Sequence, residues 1–166
     1  TLRAALLLLH AGSFLNAAAH AEVSRSLRGG GFHQELVVTV DSTVLSGWCS
    51  PGSHLELELR QPLPRGIFAD RYELEARFGG RAALSGEADL EAPAARAGPA
   101  TVTLRATAHL RSDGAAAHVS VAIPLHARYA PPLPPEAPHA HAEAELPPPV
   151  LALVCNGGDS IPLTPP

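Results

Sequence analysis

The sequence predicts an all-β fold, an antiparallel two-sheet β-sandwich, and three observations carry that expectation. Apolar and polar residues alternate with a period of two in several separate segments, which is the pattern of strands with one face buried. Glycine, proline and aspartate punctuate the spaces between those segments, as turns require. Only one short stretch carries helix signals. At 166 residues the chain has the length of a single domain.

The elements follow in order. Residues 1–21 read as a secretory signal: Arg3 is a short positive start, Ala4 to Leu9 is a dense apolar run, and Ala19-His20-Ala21 is a small-x-small cleavage pattern that leaves Glu22 first in the mature chain. The apolar run falls well short of the ~20 residues of a spanning helix. The chain has no methionine, so Thr1 is expected not to be the native start. Arg28-Gly-Gly-Gly-Phe32 precedes a strand, whereas a phosphate loop follows one and opens a helix, so no nucleotide site is expected there. Phe32 to Val40 is that strand, apolar at Leu36, Val38 and Val40. His54 to Arg60 is the clearest, with Leu55, Leu57 and Leu59 opposite charged neighbours. Pro62 to Leu74 opens on a rigid proline-glycine turn. Tyr72 to Phe78 is then expected as a helix of one or two turns, capped by Asp70 and ended by Gly79 and Gly80.

Asp89 to Pro93 is expected to end a short strand, with Glu87, Asp89 and Glu91 on its solvated face rather than around a Ca²⁺ ion. Thr101 to Leu110 and His118 to Leu125 are two further alternating strands, and Asp113-Gly114 between them signals a hairpin. Residues 131–149 are a proline-rich loop or linker with little to bury. Val150 to Cys155 is a last strand, after which Pro162, Pro165 and Pro166 are expected to prevent regular structure. The domain organisation is thus a truncated signal segment over 1–21, a β domain over 22–130, the proline-rich stretch over 131–149, and a terminal strand and tail over 150–166.

Composition excludes some functions. The net charge is -4, every basic residue is an arginine, and these are scattered. A nucleic-acid binder concentrates its cations in a stripe or patch. The two cysteines, Cys49 and Cys155, can pair in an oxidising lumen or persist as two thiols. Pairing would close a loop of more than a hundred residues.

Catalytic signals are weak. His126 stands near Arg128 and Tyr129 at a strand end, but no GxSxG motif is present and Cys49 has no catalytic context. His139 and His141 lie in the proline-rich stretch with no third ligand nearby, so no metal site is expected. No cofactor and no catalytic residue is expected.

Several motifs in order resemble the PIG-X family, the non-catalytic partners of the first mannosyltransferase of glycosylphosphatidylinositol (GPI) anchor assembly. The family's proline-x-glycine turn, aliphatic-aromatic pair, aspartate and Tyr-Glu-Leu correspond here to Pro64, Gly66, Ile67, Phe68, Asp70, Tyr72, Glu73 and Leu74. Asp89-Leu-Glu-Ala-Pro93 resembles its acidic-Ala-Pro segment. Pro124-Leu-His-Ala-Arg-Tyr129 resembles its Pro-x-His-x-Arg-Tyr strand end, and Gly31-Phe-His33 and Leu151 to Cys155 resemble its first and last strands. The resemblance implies a lumenal domain of the endoplasmic reticulum (ER) that stabilises the catalytic subunit, PIG-M, and performs no transfer itself. It implies partner-binding roles for Pro64, Gly66, Ile67, Phe68, Asp70, Tyr72, Glu73, His126, Arg128 and Tyr129. Family members end in a membrane helix that this chain lacks, and a truncated sequence is the expected reason. Two other readings stay open: a secreted β-sandwich binding module with an unrelated ligand, and an enzyme using His126 with Asp70 or Glu73 in a concave site.

Overall fold

The computed structural model describes residues 21–43, 54–110, 116–130, 144–155 and 160–163. Ten strands and one α-helix follow in the order β1 (Ala21–Gly30), β2 (His33–Thr43), β3 (Leu55–Leu63), β4 (Ile67–Phe68), α1 (Arg71–Phe78), β5 (Ala82–Gly86), β6 (Ala100–Thr107), β7 (His109–Leu110), β8 (Ala116–Ala127), β9 (Val150–Cys155) and β10 (Ser160–Leu163). A single 3₁₀ turn, Gly79–Arg81, links α1 to β5. All pairings are antiparallel. One sheet runs β1-β2-β8, with β4 and β7 sharing the far side of β8; the other runs β10-β9-β3-β6-β5. The fold is the all-β two-sheet sandwich that the alternation predicts.

The alternation sets the core directly. Leu55, Leu57, Leu59 and Leu63 of β3 are buried, as are Val102 and Leu104 of β6 and Leu151 and Leu153 of β9. They meet Leu36, Val38 and Val40 of β2 and Val119, Val121, Ile123 and Leu125 of β8 from the opposite sheet. Each such side chain contributes about 1.5–3 kcal/mol on leaving water. The intervening charges face out, where Glu58 meets Arg60 at 2.8 Å and cross-strand Arg105 at 3.5 Å.

The helix forms as the sequence predicts. Asp70 Oδ1 accepts from the Tyr72 N–H at 2.8 Å, and Gly79, at φ 60, ends it in a conformation that favours glycine. Between β4 and β7, β8 has no strand on that side among the described residues. α1 lies at this opening, touching both β8 and β5, with Leu74 buried in the core.

The structure corrects three other expectations, for 101–110, 87–93 and Pro162, and adds two features the pattern did not give. Residues 101–110 are not one strand: β6 ends at Thr107, Ala108 donates its N–H to Leu55 O at 2.8 Å, and β7 joins the other sheet. The apolar face stays inward through the corner, so the alternation hides the switch. Residues 87–93 form turns rather than a strand; the missed strand is β5, whose Gly86 (φ 89) ends it. β1 has few apolar residues and was not expected from the pattern; a ten-residue ladder with β2 makes it. Arg28 to Phe32 is the β1–β2 hairpin, with Gly31 at φ 65 in the first central position of a two-residue turn. Pro162 sits inside β10, which is tolerated because β10 is an edge strand whose unpaired side needs no donor.

Ala21 opens β1 and is buried. The Asp113-Gly114 turn, His139 and His141 lie outside the described residues, although β7 and β8 do pair antiparallel around 111–115. Residues 144–149 have no regular structure but are strapped to the sandwich. Arg25 Nη1 donates to Pro147 O at 2.9 Å and to Leu146 O at 3.4 Å, and buried Gln61 donates its Nε2 to Pro147 O at 2.9 Å.

Candidate recognition site at the proline-glycine turn

Pro64 to Ile67 forms a β-turn closed by the Ile67 N–H on Pro64 O at 3.0 Å. Proline presets the backbone, and Gly66 leaves room for the strap, since a Cβ there would sit 3.3 Å from the Ala144 Cβ. The turn delivers β4 to the end of β8, where Ile67 pairs with Ala127 and Phe68 with His126. Two backbone bonds anchor that end: Arg128 N–H donates to Gly66 O at 2.8 Å, and Ala127 N–H to Phe32 O at 3.0 Å. Three motifs separated in sequence therefore converge at one end of the sandwich.

Arg128 is the hub. It is 7% exposed. Its Nη1 donates to the carbonyls of Asp89 at 2.7 Å and Ala92 at 2.8 Å, and its guanidinium lies 4.8 Å from the Phe68 ring centre. It thus holds the 89–92 turn through one terminal nitrogen while its planar face packs on Phe68. Its Nε has no partner among the described residues. In the same turn the Asp89 N–H donates to Glu87 Oε1 at 2.9 Å and the Gly98 N–H to Glu87 Oε2 at 3.3 Å. The Asp89 bond first, then the Gly98 bond, hold the Glu87 carboxyl below the usual carboxylate range, and the Arg128 charge adds to this. Asp89 in turn accepts from the Glu91 N–H at 2.9 Å. These carboxylates shape a turn.

Phe68 is stacked on His126, centres 4.9 Å apart, so it is an internal packing element as much as a surface one. His126 Nε2 meets Glu73 Oε2 at 2.7 Å, tying α1 to β8, and His33 packs edge-on to its ring at 4.5 Å. Asp70 is occupied as the helix cap. Tyr72, 71% exposed, has its ring beside Arg71 rather than in the Phe68 stack. Tyr129 is 75% exposed and packs against Phe32, itself 54% exposed, at 5.2 Å. Gly31-Phe-His33 was the only sequence signal toward Phe32 and His33, and it marked a strand rather than a site.

Beside the turn lies an open groove of about 600 Å³, lined by Leu27, Pro64, Ile67, His126, Arg128 and Leu146 among others. Among the described residues no serine, threonine or cysteine lines it, while Glu145 does. His126 and Glu73 lie within hydrogen-bond reach, as an enzymatic reading requires, and the histidine is packed between the Phe68 and His33 rings. Among the described residues no three His, Cys, Asp or Glu side chains gather as a metal site would need. Cys155, buried at the end of β9, is disulfide-bonded, while Cys49 lies outside the described residues.

The family model PIG-X / PBN1 matches residues 29–164, which include every one of these site residues except Leu27. The chain belongs to the PIG-X/PBN1 family. No curated protein and no solved structure matches it. Membership places the chain in GPI-anchor biosynthesis at the ER, in a family of accessory subunits associated with a GPI mannosyltransferase complex. No helix among the described residues is long and apolar enough to cross a membrane.

Proposed function

We propose that this domain is a non-catalytic lumenal subunit that stabilises PIG-M, the catalytic subunit of the ER mannosyltransferase that adds the first mannose to the GPI precursor. The observation that carries this reading is the convergence of the Pro64–Glu73, Asp89–Pro93 and Pro124–Tyr129 motifs on one rigid end of the sandwich, beside an open groove and an exposed aromatic pair. Family membership supports the accessory role. A preorganised surface that binds only the folded form of a partner stabilises that form by mass action. Phe32 and Tyr129 are the natural anchors, because exposed aromatics with little rotamer freedom make strong contacts.

The test is rescue. Cells lacking the endogenous subunit receive this chain with a signal peptide and a C-terminal membrane helix, and surface GPI-anchored protein and PIG-M abundance are measured together. Both are expected to recover. Tyr129→Ala is expected to weaken recovery while leaving the melting temperature unchanged. A well-expressed domain that restores neither would favour a β-sandwich module with an unrelated ligand.

A further inference from the structure

One carbonyl ties the strap to both sheets. Pro147 O accepts from Arg25 Nη1 of β1 at 2.9 Å and from Gln61 Nε2 of β3 at 2.9 Å. Arg25 Nη1 also reaches Leu146 O at 3.4 Å, and the Leu146 side chain packs, partly buried, against the core. Among the described residues, 144–148 make no backbone–backbone hydrogen bond, and Pro147 and Pro148 have no N–H to give. Pro149, by contrast, is buried and leads directly into β9, whose Val150 pairs with Arg60.

The catch pulls both ways. Gln61 is fully buried, in line with Leu59 and Leu63 on the inner face of β3. Its Nε2 is satisfied by Pro147 O and Pro62 O, while its Oε1 has no donor among the described residues. A buried amide oxygen without a partner disfavours the closed strap, and water supplies that partner once the strap lifts. A segment held by side-chain tethers and one half-buried apolar residue belongs to the low end of local stability, where opening does not require the domain to unfold. Leu146 lines both the groove of about 600 Å³ and an adjoining cavity of about 410 Å³, and Ala144 lies against Gly66. Lifting the strap therefore joins these spaces and removes one wall of the groove beside the Pro64–Ile67 turn.

We infer that residues 144–148 are a latch, hinged at Pro149 and caught at the Pro147 carbonyl by Arg25 and Gln61, which opens while both sheets stay folded and so gives the groove a closed and an open form. The inference concerns the shape of the groove and stands apart from the accessory-subunit reading.

The test is native-state proteolysis of the full chain with a glutamate-specific protease across a urea series. Glu136→Gln and Glu143→Gln leave Glu145 as the only glutamate after Glu91, so the 145–146 bond is read unambiguously by mass spectrometry. Below the unfolding transition, cleavage after Glu145 is expected to be slower than in a free peptide of the same sequence and nearly independent of urea, whereas cleavage after Glu58 in β3 rises steeply with it. Arg25→Ala, at an exposed side chain, is expected to speed cleavage after Glu145 about tenfold with the flat urea dependence retained, the change in opening equilibrium that follows from losing a charge-assisted hydrogen bond. Arg105→Ala on the outer face of β6 is expected to change nothing. Cleavage after Glu145 with the same urea slope as after Glu58 shows that the strap opens only with the domain and overturns the inference. A rate equal to that of the free peptide, or an Arg25→Ala rate equal to that of the parent, overturns it too.

Discussion

At the scale of single residues, Arg128 shows how a surface-looking motif becomes architecture. In sequence it sits in a His-x-Arg-Tyr run that suggests an exposed contact. In the fold it is buried, fastening the 89–92 turn through two short carbonyl bonds and covering Phe68. Arg128→Lys keeps the charge but is shorter and loses the guanidinium packing on Phe68, so its ammonium reaches the Asp89 and Ala92 carbonyls less well. We expect destabilisation of about 1–3 kcal/mol by urea unfolding, the usual cost of stranding buried polar groups. Tyr129, the next residue, is on the surface. No residue-level rule in the sequence separates these two neighbours. The direction each side chain takes depends on where the 89–94 turn lies, and Ala94 N–H fixes that turn to Tyr129 O at 3.1 Å.

At the scale of elements, the 87–98 turn carries a pH dependence. Glu87 is held below the usual carboxylate range chiefly by the Asp89 N–H and then by the Gly98 N–H. A depressed carboxylate adds stability above the ordinary carboxylate pKa and loses it as pH falls through its lower folded value. Glu87→Gln is therefore expected to be less stable than the parent at about pH 7, with the difference shrinking as pH falls below the ordinary carboxylate range. Urea midpoints across that range read it directly, and a difference that stays constant would show that the charge is irrelevant. Elements with strong local signals were legible: β3, β8 and α1 come within three residues of the sequence expectation at each end, and β9 matches it. Those without were not. β1 is polar along most of its length, and β10 contains a proline. Both are edge strands, so their partners supply the order that their own composition lacks.

At the scale of the whole molecule, the sandwich is closed by devices that sit far apart in the chain. α1 closes one side, and the strap over 144–149 crosses the other. Cys155 is disulfide-bonded at the end of β9, and Cys49 is the only other cysteine in the sequence. We propose that the two form the bridge, which links the segment before β3 to its neighbour β9. Cys49→Ser is then expected to lower stability by up to about 4–5 kcal/mol, because the lost link constrains a loop of more than a hundred residues in the unfolded chain. Non-reducing peptide mapping checks the pairing itself, and an uncoupled Cys49 peptide would refute it.

By itself the sequence determined the all-β class, the apolar face of each central strand, the capped helix and the motifs that mark the family, because all of these rest on patterns a few residues long: a period of two, a cap, a proline-glycine turn. Only the tertiary structure decided which sheet each strand joins, that 101–110 turns a corner between sheets, that Arg128 is buried while Tyr129 and Phe32 are exposed, and that a groove lies beside the turn. Those outcomes depend on contacts between residues tens of positions apart, and alternation within one strand says which side is apolar without saying what, if anything, will cover it.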